Sequence, residues 1–324
     1  MNTSEKTKSY FLIVISLIII VGIVMVYSSS YIYSKETFGT STHFFVKQLA
    51  FVLIGTLVAI ILSKTKMSFW FKNMYLFNGV SILLLFLTMT PLGVSIKGSQ
   101  RWLEILTYKF QPGEFIKYTV GLSAVYYFNK FESYTLKEKL LNSLHFILPL
   151  TLLIIQPDFG TFSITAMLIA FACFLSNFPR RYFYSAITLG IIATAGLLVS
   201  APYRVRRLLV FLDPWSDPQN SGFQIIQSYL AFASGHIFGQ GIGNSNEKLF
   251  YLPEAHNDFI LSVIGEELGF LGILVIILLF LGFTFLGFKL ALSPRSNINK
   301  QVISVLVFSI SIQAFLNMGV VLGL

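Results

Sequence analysis

The feature that most constrains this chain is a series of long apolar runs that recurs along its whole length. Nine runs approach the roughly 20 residues that an α-helix needs to cross a bilayer core. They cover about 11–28, 44–62, 74–92, 114–130, 143–156, 160–178, 182–201, 258–288 and 302–323. None alternates with period two, as the strands of a membrane β-barrel would. The pattern predicts an all-α polytopic membrane protein with about nine spans.

The composition excludes the main alternatives. Hydrophobic residues make up 55% of the 324 residues and charged residues only 11%, whereas soluble domains carry about 25% charge and disordered chains have low hydrophobicity. The single cysteine, Cys173, excludes a disulfide scaffold and a cysteine-based zinc site. The first run is too long for a signal peptide and lacks a cleavage site, so we expect an uncleaved span.

The cations predict the orientation. Thirteen of the 23 lie at the N-terminus and in the connections that follow spans two, four, six and eight. The positive-inside rule makes this side, with the N-terminus, cytoplasmic. The net charge of +9 is therefore a topology signal, and no nucleic-acid partner is expected.

Two segments on the opposite side are candidates for function. They are about 93–113 and 202–257, and the second lies between spans seven and eight. Loops longer than about 15 residues are usually functional or disordered. Because 202–257 mixes aromatic, apolar and charged residues, we expect an ordered extracytoplasmic loop within a single membrane domain, 1–324.

Charged residues within spans are costly, at about 2.5–3.5 kcal/mol each. Glu114 and Lys117 share a helix face at spacing i, i+3 and can pair, either as a structural ion pair or as functional groups. Glu266 and Glu267 diverge by about 100° around their helix. We expect one to face the interior and the other to find a partner or water.

Two aspartates near the outer boundary are open to two interpretations each. Asp258 either compensates the dipole of the eighth span or, partly desolvated beside Glu254 and His256, serves as a general base. Asp158 either caps the sixth span or lines an external cavity.

The external cations also have two interpretations. They can clamp a phosphate or diphosphate, since arginine matches oxygen pairs; the alternative for Arg204 to Arg207 is that they anchor the chain at phospholipid headgroups. The external cations are Lys97, Arg101, Lys109, Arg204, Arg206, Arg207 and Lys248. The string 239–243, Gly-Gln-Gly-Ile-Gly, resembles a phosphate loop only superficially, because it lacks a preceding strand and a following lysine. The histidines show no metal-ligand spacing, so no metal site is predicted.

Several strings in 98–270 resemble the SEDS family (shape, elongation, division and sporulation) of integral membrane peptidoglycan polymerases, most like its cell-division branch. The strings are Gly98-Ser99-Gln100-Arg101-Trp102, Gln111-Pro112-Gly113-Glu114 with Lys117, Gln156-Pro157-Asp158-Phe159-Gly160-Thr161, Arg207 with Phe211-Leu212-Asp213-Pro214-Trp215, Leu252-Pro253-Glu254-Ala255-His256-Asn257-Asp258-Phe259-Ile260, and Ile264-Gly265-Glu266-Glu267-Leu268-Gly269.

The resemblance implies a ten-span fold and a processive glycosyltransferase that joins lipid II units. It also implies a class B penicillin-binding protein and other divisome membrane proteins as partners. Asp258 falls on the family's essential aspartate. The implied cavity or motif positions are Arg101, Trp102, Glu114, Lys117, Asp158, Arg207, Glu254 and His256.

Three departures from the family pattern are visible. Gly113 replaces a usual serine, and the string Ser234-Gly235-His236 stands where a second glycine is usual. The family's tenth span is not found after Leu324, so we expect the final span to be missing.

The expected reaction is attack of a sugar hydroxyl on an anomeric carbon that bears a lipid diphosphate. Asp258 would be the single base, and the result would be inversion. No cofactor site is readable, although a divalent cation could help neutralise the diphosphate. A lipid II flippase and a non-catalytic scaffold that activates the partner synthase remain alternatives.

Overall fold

A computed structural model describes residues 3–96, 98–105, 108–199, 210, 212–220, 222–248, 252–253 and 255–323. Among them are ten α-helices. These are α1 Thr3–Phe38, α2 His43–Ser63, α3 Met67–Leu87, α4 Pro112–Lys130, α5 Leu136–Ile155, α6 Phe159–Leu175, α7 Arg180–Val199, α8 Phe223–Gly235, α9 Ile260–Ala291 and α10 Asn297–Leu322.

Each of the nine predicted runs corresponds to a helix, and the predicted helical membrane fold is confirmed. Within the described residues, α1, α2, α3, α5, α9 and α10 are long and apolar enough to cross a membrane. The helix at the fifth run is longer than the predicted 143–156, because α5 already begins at Leu136. A capping box between Thr135 and Glu138 satisfies the first backbone amides there.

A small antiparallel sheet in the segment 93–113 was not predicted. Its strands are β1 Gly93–Ile96, β2 Ser99–Ile105 and β3 Tyr108–Phe110, in the order β1-β2-β3. Gly98 has φ 79°, a conformation that glycine adopts without steric cost in a tight turn. The pairing of β1 with β2 is irregular at Arg101, because Val94 lies opposite Trp102 and Ser95 lies opposite Gln100.

The chain divides into two compact units. The first unit comprises Met1–Lys64, Ile192–Leu286 and Gln313–Leu324. Its core packs α1 against α9 and the end of α10, around Met25 and Val263.

The second unit comprises Thr65–Ile191 and Gly287–Ile312. Its core surrounds α4, which buries Ile116, Val120 and Ala124. Helix α4 is central to this unit because small residues on it allow close approach, as Gly121 does towards Val305.

Helix α9 is interrupted at Gly269, where φ is 69° and ψ is −167°. Two backbone hydrogen bonds of the helix are lost there, and the groups that would have formed them bond instead to the backbone of the segment 236–241. It accepts hydrogen bonds from Phe270 and Leu271 and donates to the carbonyls of Glu266 and Glu267, at 2.9–3.2 Å. This segment follows α8 in the predicted loop, so that part of the loop is ordered and packed on α9.

Candidate functional site

Asp158 caps α6 at the corner between α5 and α6. Its carboxylate accepts hydrogen bonds from the Thr161 amide at 3.3 Å, from the Thr161 hydroxyl at 2.9 Å and from Gln111 Nε2 at 3.1 Å. The residue is 5% exposed. The capping role considered for Asp158 is therefore present in the structure, although it does not exclude a second role.

Arg101 is the cation that the fold brings to Asp158. Its Nη1 lies 3.7 Å from Asp158 Oδ1, and 32% of its side chain remains exposed. The guanidinium also donates to the carbonyl oxygens of Gln156 and Pro157. A guanidinium that is held on one side and open on the other can bind a second anion. Trp102, the next residue of β2, is half-buried.

Gln156 ties this corner to the end of α3. It is buried, and its Nε2 donates to the Leu85 carbonyl at 2.7 Å and to Thr88 Oγ1 at 2.8 Å. The local signal for this role is a polar residue directly after an apolar run; the sequence motif around Gln156 does not by itself assign the role to this side chain.

Glu114 and Lys117 form the predicted ion pair in the first turns of α4. The distance from Lys117 Nζ to Glu114 Oε2 is 2.6 Å, and the side chains are 1% and 46% exposed for lysine and glutamate respectively. The buried lysine therefore fixes a carboxylate that still reaches the surface. Such an arrangement serves both the structural and the functional interpretation.

Asp258 lies in the turn that leads into α9. Asn317 Nδ2 donates to its backbone carbonyl at 3.2 Å, which holds the turn against α10. The side chain is exposed, so the described residues do not provide the desolvation that we expected. Among these residues its carboxylate makes no hydrogen bond or ion pair, which leaves both oxygens available to a substrate.

His256, two residues before Asp258, lies between aromatic rings of α1 and α2. Its ring is 4.7 Å from that of Tyr33 and 4.9 Å from that of Phe44, centre to centre. It is half-buried. His256 was predicted to contact substrate, and its packing also gives it a part in holding the Asp258 turn in place.

Glu267 forms an ion pair inside the first unit. Lys248 Nζ lies 2.7 Å from Glu267 Oε1, and Ser28 Oγ donates to Glu267 Oε2 at 2.6 Å. Lys248 also lies 4.9 Å from the centre of the Tyr31 ring. Because Lys248 is buried and paired, its predicted place in a diphosphate clamp is wrong.

Glu266 is also buried, and among the described residues its carboxylate accepts from the segment 245–247. The donors are the Ser245 hydroxyl and the amides of Asn246 and Glu247, the amides at 3.0 and 3.3 Å. We expected one glutamate to face the interior and the other to find a partner or water; both face the interior, and Glu267 finds its partner in Lys248. Both are saturated by partners that lie far away in the sequence.

Glu247 lies beside this arrangement with one oxygen, Oε2, buried and without a hydrogen-bond partner among the described residues. Burial, with a smaller contribution from the nearby Glu266 carboxylate, raises the pKa of Glu247 to about 7. The side chain thus takes up a proton more readily than an ordinary glutamate.

Some predicted residues lie outside the described part of the chain. They are Arg207 and Glu254, together with Lys97, Arg204 and Arg206. Within the described residues no group of three or more histidine, cysteine, aspartate or glutamate side chains could hold a metal ion. Participation of a divalent cation stays a prediction.

The pattern of the FtsW/RodA/SpoVE family, described as cell cycle protein, matches residues 8–324. The chain belongs to this family. The resemblance seen in its motifs is thereby confirmed, and the chain is a multi-pass membrane protein of the inner membrane.

Curated members of the FtsW/RodA/SpoVE family resemble the chain over most of its length. A protein of Legionella pneumophila named "Probable peptidoglycan glycosyltransferase FtsW" is 36% identical, over 95% of this chain and 80% of the relative. Stage V sporulation protein E of Bacillus subtilis is 33% identical, over 100% of this chain and 90% of the relative.

Solved structures share the family fold. A chain of a peptidoglycan synthase complex, described as coordinating polymerization and crosslinking, matches with TM-score 0.75 and 24% identity, over 97% of this chain and 87% of that chain. The rod shape determining protein RodA of Thermus thermophilus matches with TM-score 0.68 and 21% identity, over 96% and 84%.

Proposed function

We propose that this chain is a peptidoglycan glycosyltransferase that polymerises lipid II into β-1,4 glycan strands for septal cell-wall synthesis, acting at the extracytoplasmic face of the membrane. Family membership and the names of the FtsW relatives support the activity. The observation in this chain that carries the proposal is the exposed carboxylate of Asp258, on a turn fixed through its backbone.

Asp258 takes the proton from the acceptor hydroxyl as that oxygen attacks the anomeric carbon of the donor. The new glycosidic bond forms while the bond from this carbon to the diphosphate oxygen breaks, and undecaprenyl diphosphate leaves. Attack from the face opposite the leaving group inverts the configuration, so an α-linked donor gives a β-linked product. A general base contributes about 10²–10⁴-fold to such a step.

The diphosphate needs cations because its charge grows as it leaves. Arg101 keeps a third of its side chain exposed beside Asp158, which suits this role. Arg207, with Arg204 and Arg206, is proposed to share it. Lys117 acts indirectly, by orienting the exposed Glu114 carboxylate, which we propose contacts the substrate's hydroxyl or amide groups.

The remaining predicted contacts follow the family positions. Trp102 is proposed to pack against a sugar ring, since aromatic faces bury apolar surface at little entropic cost. Glu254 and His256 precede the base by four and two residues in the sequence and are proposed to shape the acceptor site. His256 stacks on Tyr33 and lies tilted against Phe44, which restrains its ring.

A class B penicillin-binding protein, which cross-links the product, is the proposed partner within a set of divisome membrane proteins. The support is the match in fold to a chain of a synthase complex. A flippase has less support than a polymerase, because Glu266 and Glu267 do not line a polar path. Both carboxylates are buried and bonded to neighbouring segments.

The test is polymerisation of labelled lipid II by the purified protein together with its partner synthase, whose own catalytic serine is blocked. Asp258→Asn keeps the size of the side chain and removes the base. Glu36→Gln is the matched control, because Glu36 is an exposed carboxylate at the same end of α1 as the Asp258 turn.

We expect long glycan from wild type and from Glu36→Gln. Polymer formation by Asp258→Asn should fall by about 10²–10⁴-fold. Equal polymer from Asp258→Asn would remove Asp258 from the chemistry. Transfer of labelled lipid II across liposomes by the same variant would favour the flippase, and partner activation without polymer from any variant would favour the scaffold.

A further inference from the structure

The turn that follows α8 exposes large apolar side chains although it lies in a loop. Ile237, Phe238 and Ile242 are exposed, and Phe270 and Leu271 of α9 are exposed beside them. Their exposed fractions run from 43% for Leu271 to 79% for Phe238. We call these five residues the interfacial patch.

Helix α9 gives the first measure of how deep this patch lies. The uncharged residues from Phe270 to Phe288 number 19, which as a helix is about 28 Å long. That length matches the hydrocarbon core of a bilayer, about 30 Å. The charged side chains begin on the other side of Gly269, with Glu266 and Glu267, so the membrane boundary lies close to Gly269.

Helix α1 gives an independent measure. Its apolar run ends at Tyr27 and is followed by three serines, the first of which is Ser28. Ser28 bonds Glu267, and near the other end of the run the rings of Phe11 and Phe283 stack 5.2 Å apart. The 18 residues from Phe11 to Ser28 span about 26 Å along the helix, so α1 also places Glu267 at the boundary.

Backbone hydrogen bonds fix the turn at this same level. Residues 236–241 bond to α9 between Glu266 and Leu271. Glycines permit the approach, since a Cβ on Gly239 would lie 2.2 Å from the Glu267 carbonyl oxygen. The Gly-Gln-Gly-Ile-Gly string therefore packs the turn against α9.

The patch is continuous with the membrane-facing surface of α9. Val275, Leu278 and Phe285 are exposed and follow Leu271 at helical spacing along one stripe. Residues 222–246 contain no aspartate, glutamate, lysine or arginine. An uncharged, aromatic and aliphatic surface at the level of the boundary has the composition of a segment that enters a lipid interface.

We propose that the interfacial patch inserts among the acyl chains just below the headgroups of the leaflet at the Ser28 end of α1, which the cation distribution predicts to be the outer leaflet. The patch thereby fastens the long loop between α7 and α9 to the membrane surface. The ligand of this surface is phospholipid. A partner protein and a second copy of the chain are the competing occupants.

The test uses cysteine labelling, which this chain allows because Cys173 is its only cysteine and is buried. In a Cys173→Ala background, Phe238→Cys is labelled with a polarity-sensitive fluorophore, and the full chain is reconstituted alone at low density in phospholipid vesicles. Ile242→Cys is the second site, in case Phe238→Cys folds poorly. Quenching is measured with nitroxides near the glycerol backbone, with nitroxides at mid-chain, and with an aqueous quencher.

Two matched controls set the scale. Gln219→Cys is exposed in the same loop before α8, and Leu278→Cys is exposed in the middle of α9. We expect the shallow nitroxide to quench the labels at 238 and 242 several-fold more than the label at 219. We expect the mid-chain nitroxide to quench the label at 278 best.

Two outcomes would overturn the proposal. In the first, the label at 238 is quenched from water as strongly as the label at 219. In the second, lipid quenching disappears as protein density rises, or when the partner synthase is added, which assigns the patch to a protein contact. The readout needs no enzymatic activity, so it stands or falls separately from the proposed function.

Discussion

Asp258 and the pair Glu266 and Glu267 lie within ten residues of each other around the start of α9, and their surroundings are opposite. The two glutamates are fully buried, and each oxygen has a donor from α1 or from the segment 245–248. Asp258 is exposed, and only its backbone carbonyl is held. A carboxylate bonded on every side holds a structure together, whereas one held only through its backbone can react.

The physical reason is the cost of burying charge. Moving an ion out of water costs several kcal/mol of hydration free energy unless partners replace the water. The two glutamates are therefore bonded to fixed neighbours, and they cannot bind another ligand without losing the hydrogen bonds that hold the segment 245–248. Asp258 loses little hydration in the folded chain. Its carboxylate therefore exchanges water for substrate at small cost, which catalysis requires.

The largest expected effect tests the buried side of this comparison. Glu267→Gln leaves the Lys248 ammonium buried without its counter-charge, which costs about 3–5 kcal/mol. The free energy of unfolding or the melting temperature, measured in lipid nanodiscs, should fall strongly. Glu36→Gln on the surface should change neither.

The double variant Lys248→Met with Glu267→Gln sharpens this test. The double variant has no unpaired buried charge, and the glutamine can still accept a hydrogen bond from Ser28. Its free energy of unfolding should therefore return most of the way to that of wild type. Wild-type stability in the single variant Glu267→Gln would show that the ion pair does not hold the segment.

An intermediate effect concerns Glu247. Its folded pKa of about 7 lies above the ordinary value of 4.5, so between these pH values the folded chain keeps a proton that the unfolded chain has lost. Stability therefore falls as pH rises from 4.5 to about 7, and the loss is complete above that pH. One pKa unit corresponds to about 1.4 kcal/mol, so the total is on the order of 3 kcal/mol.

Glu247→Gln cannot ionise and should remove this dependence. Thermal unfolding measured at several pH values should show the variant gaining on wild type between pH 4.5 and 7. A pH profile parallel to that of wild type would mean that Glu247 is not the titrating group.

The smallest expected effect concerns Asp158, which stands between the two extremes because it is buried but contacts a half-exposed arginine. Asp158→Ala removes the cap of α6 and should cost about 0.5–2 kcal/mol of stability. Asp158→Asn can still cap the helix and should restore that stability. If Arg101 also binds the diphosphate, Asp158→Asn should alter the KM for lipid II at unchanged melting temperature, and an unchanged KM would limit Asp158 to capping.

The helices could be predicted because each one that crosses the bilayer needs a run of about 20 apolar residues, and such runs are visible in the sequence. The ion pair of Glu114 and Lys117 could also be predicted, because its partners are one turn apart. The continuation of α1 to Phe38 was missed, since Ser28, Ser29 and Ser30 end its apolar run although the helix goes on.

Long-range contacts could not be predicted from one sequence. The Ser28 partner of Glu267 lies 239 residues away, and nothing local marks Lys248 as buried. The small sheet was missed because its strands are short and its only local signal is the turn at Gly98. The interruption of α9 depends on a loop that comes before it in the chain, so Gly269 alone did not reveal it.

The most direct test of the comparison measures two properties on two variants, Asp258→Asn and Glu267→Gln, against wild type. The properties are the rate of lipid II polymerisation and the melting temperature in the same nanodiscs. The account predicts that Asp258→Asn slows polymerisation by about 10²–10⁴-fold at an unchanged melting temperature, while Glu267→Gln lowers the melting temperature. A stable Glu267→Gln protein, or an Asp258→Asn protein that polymerises lipid II at the wild-type rate, would contradict it.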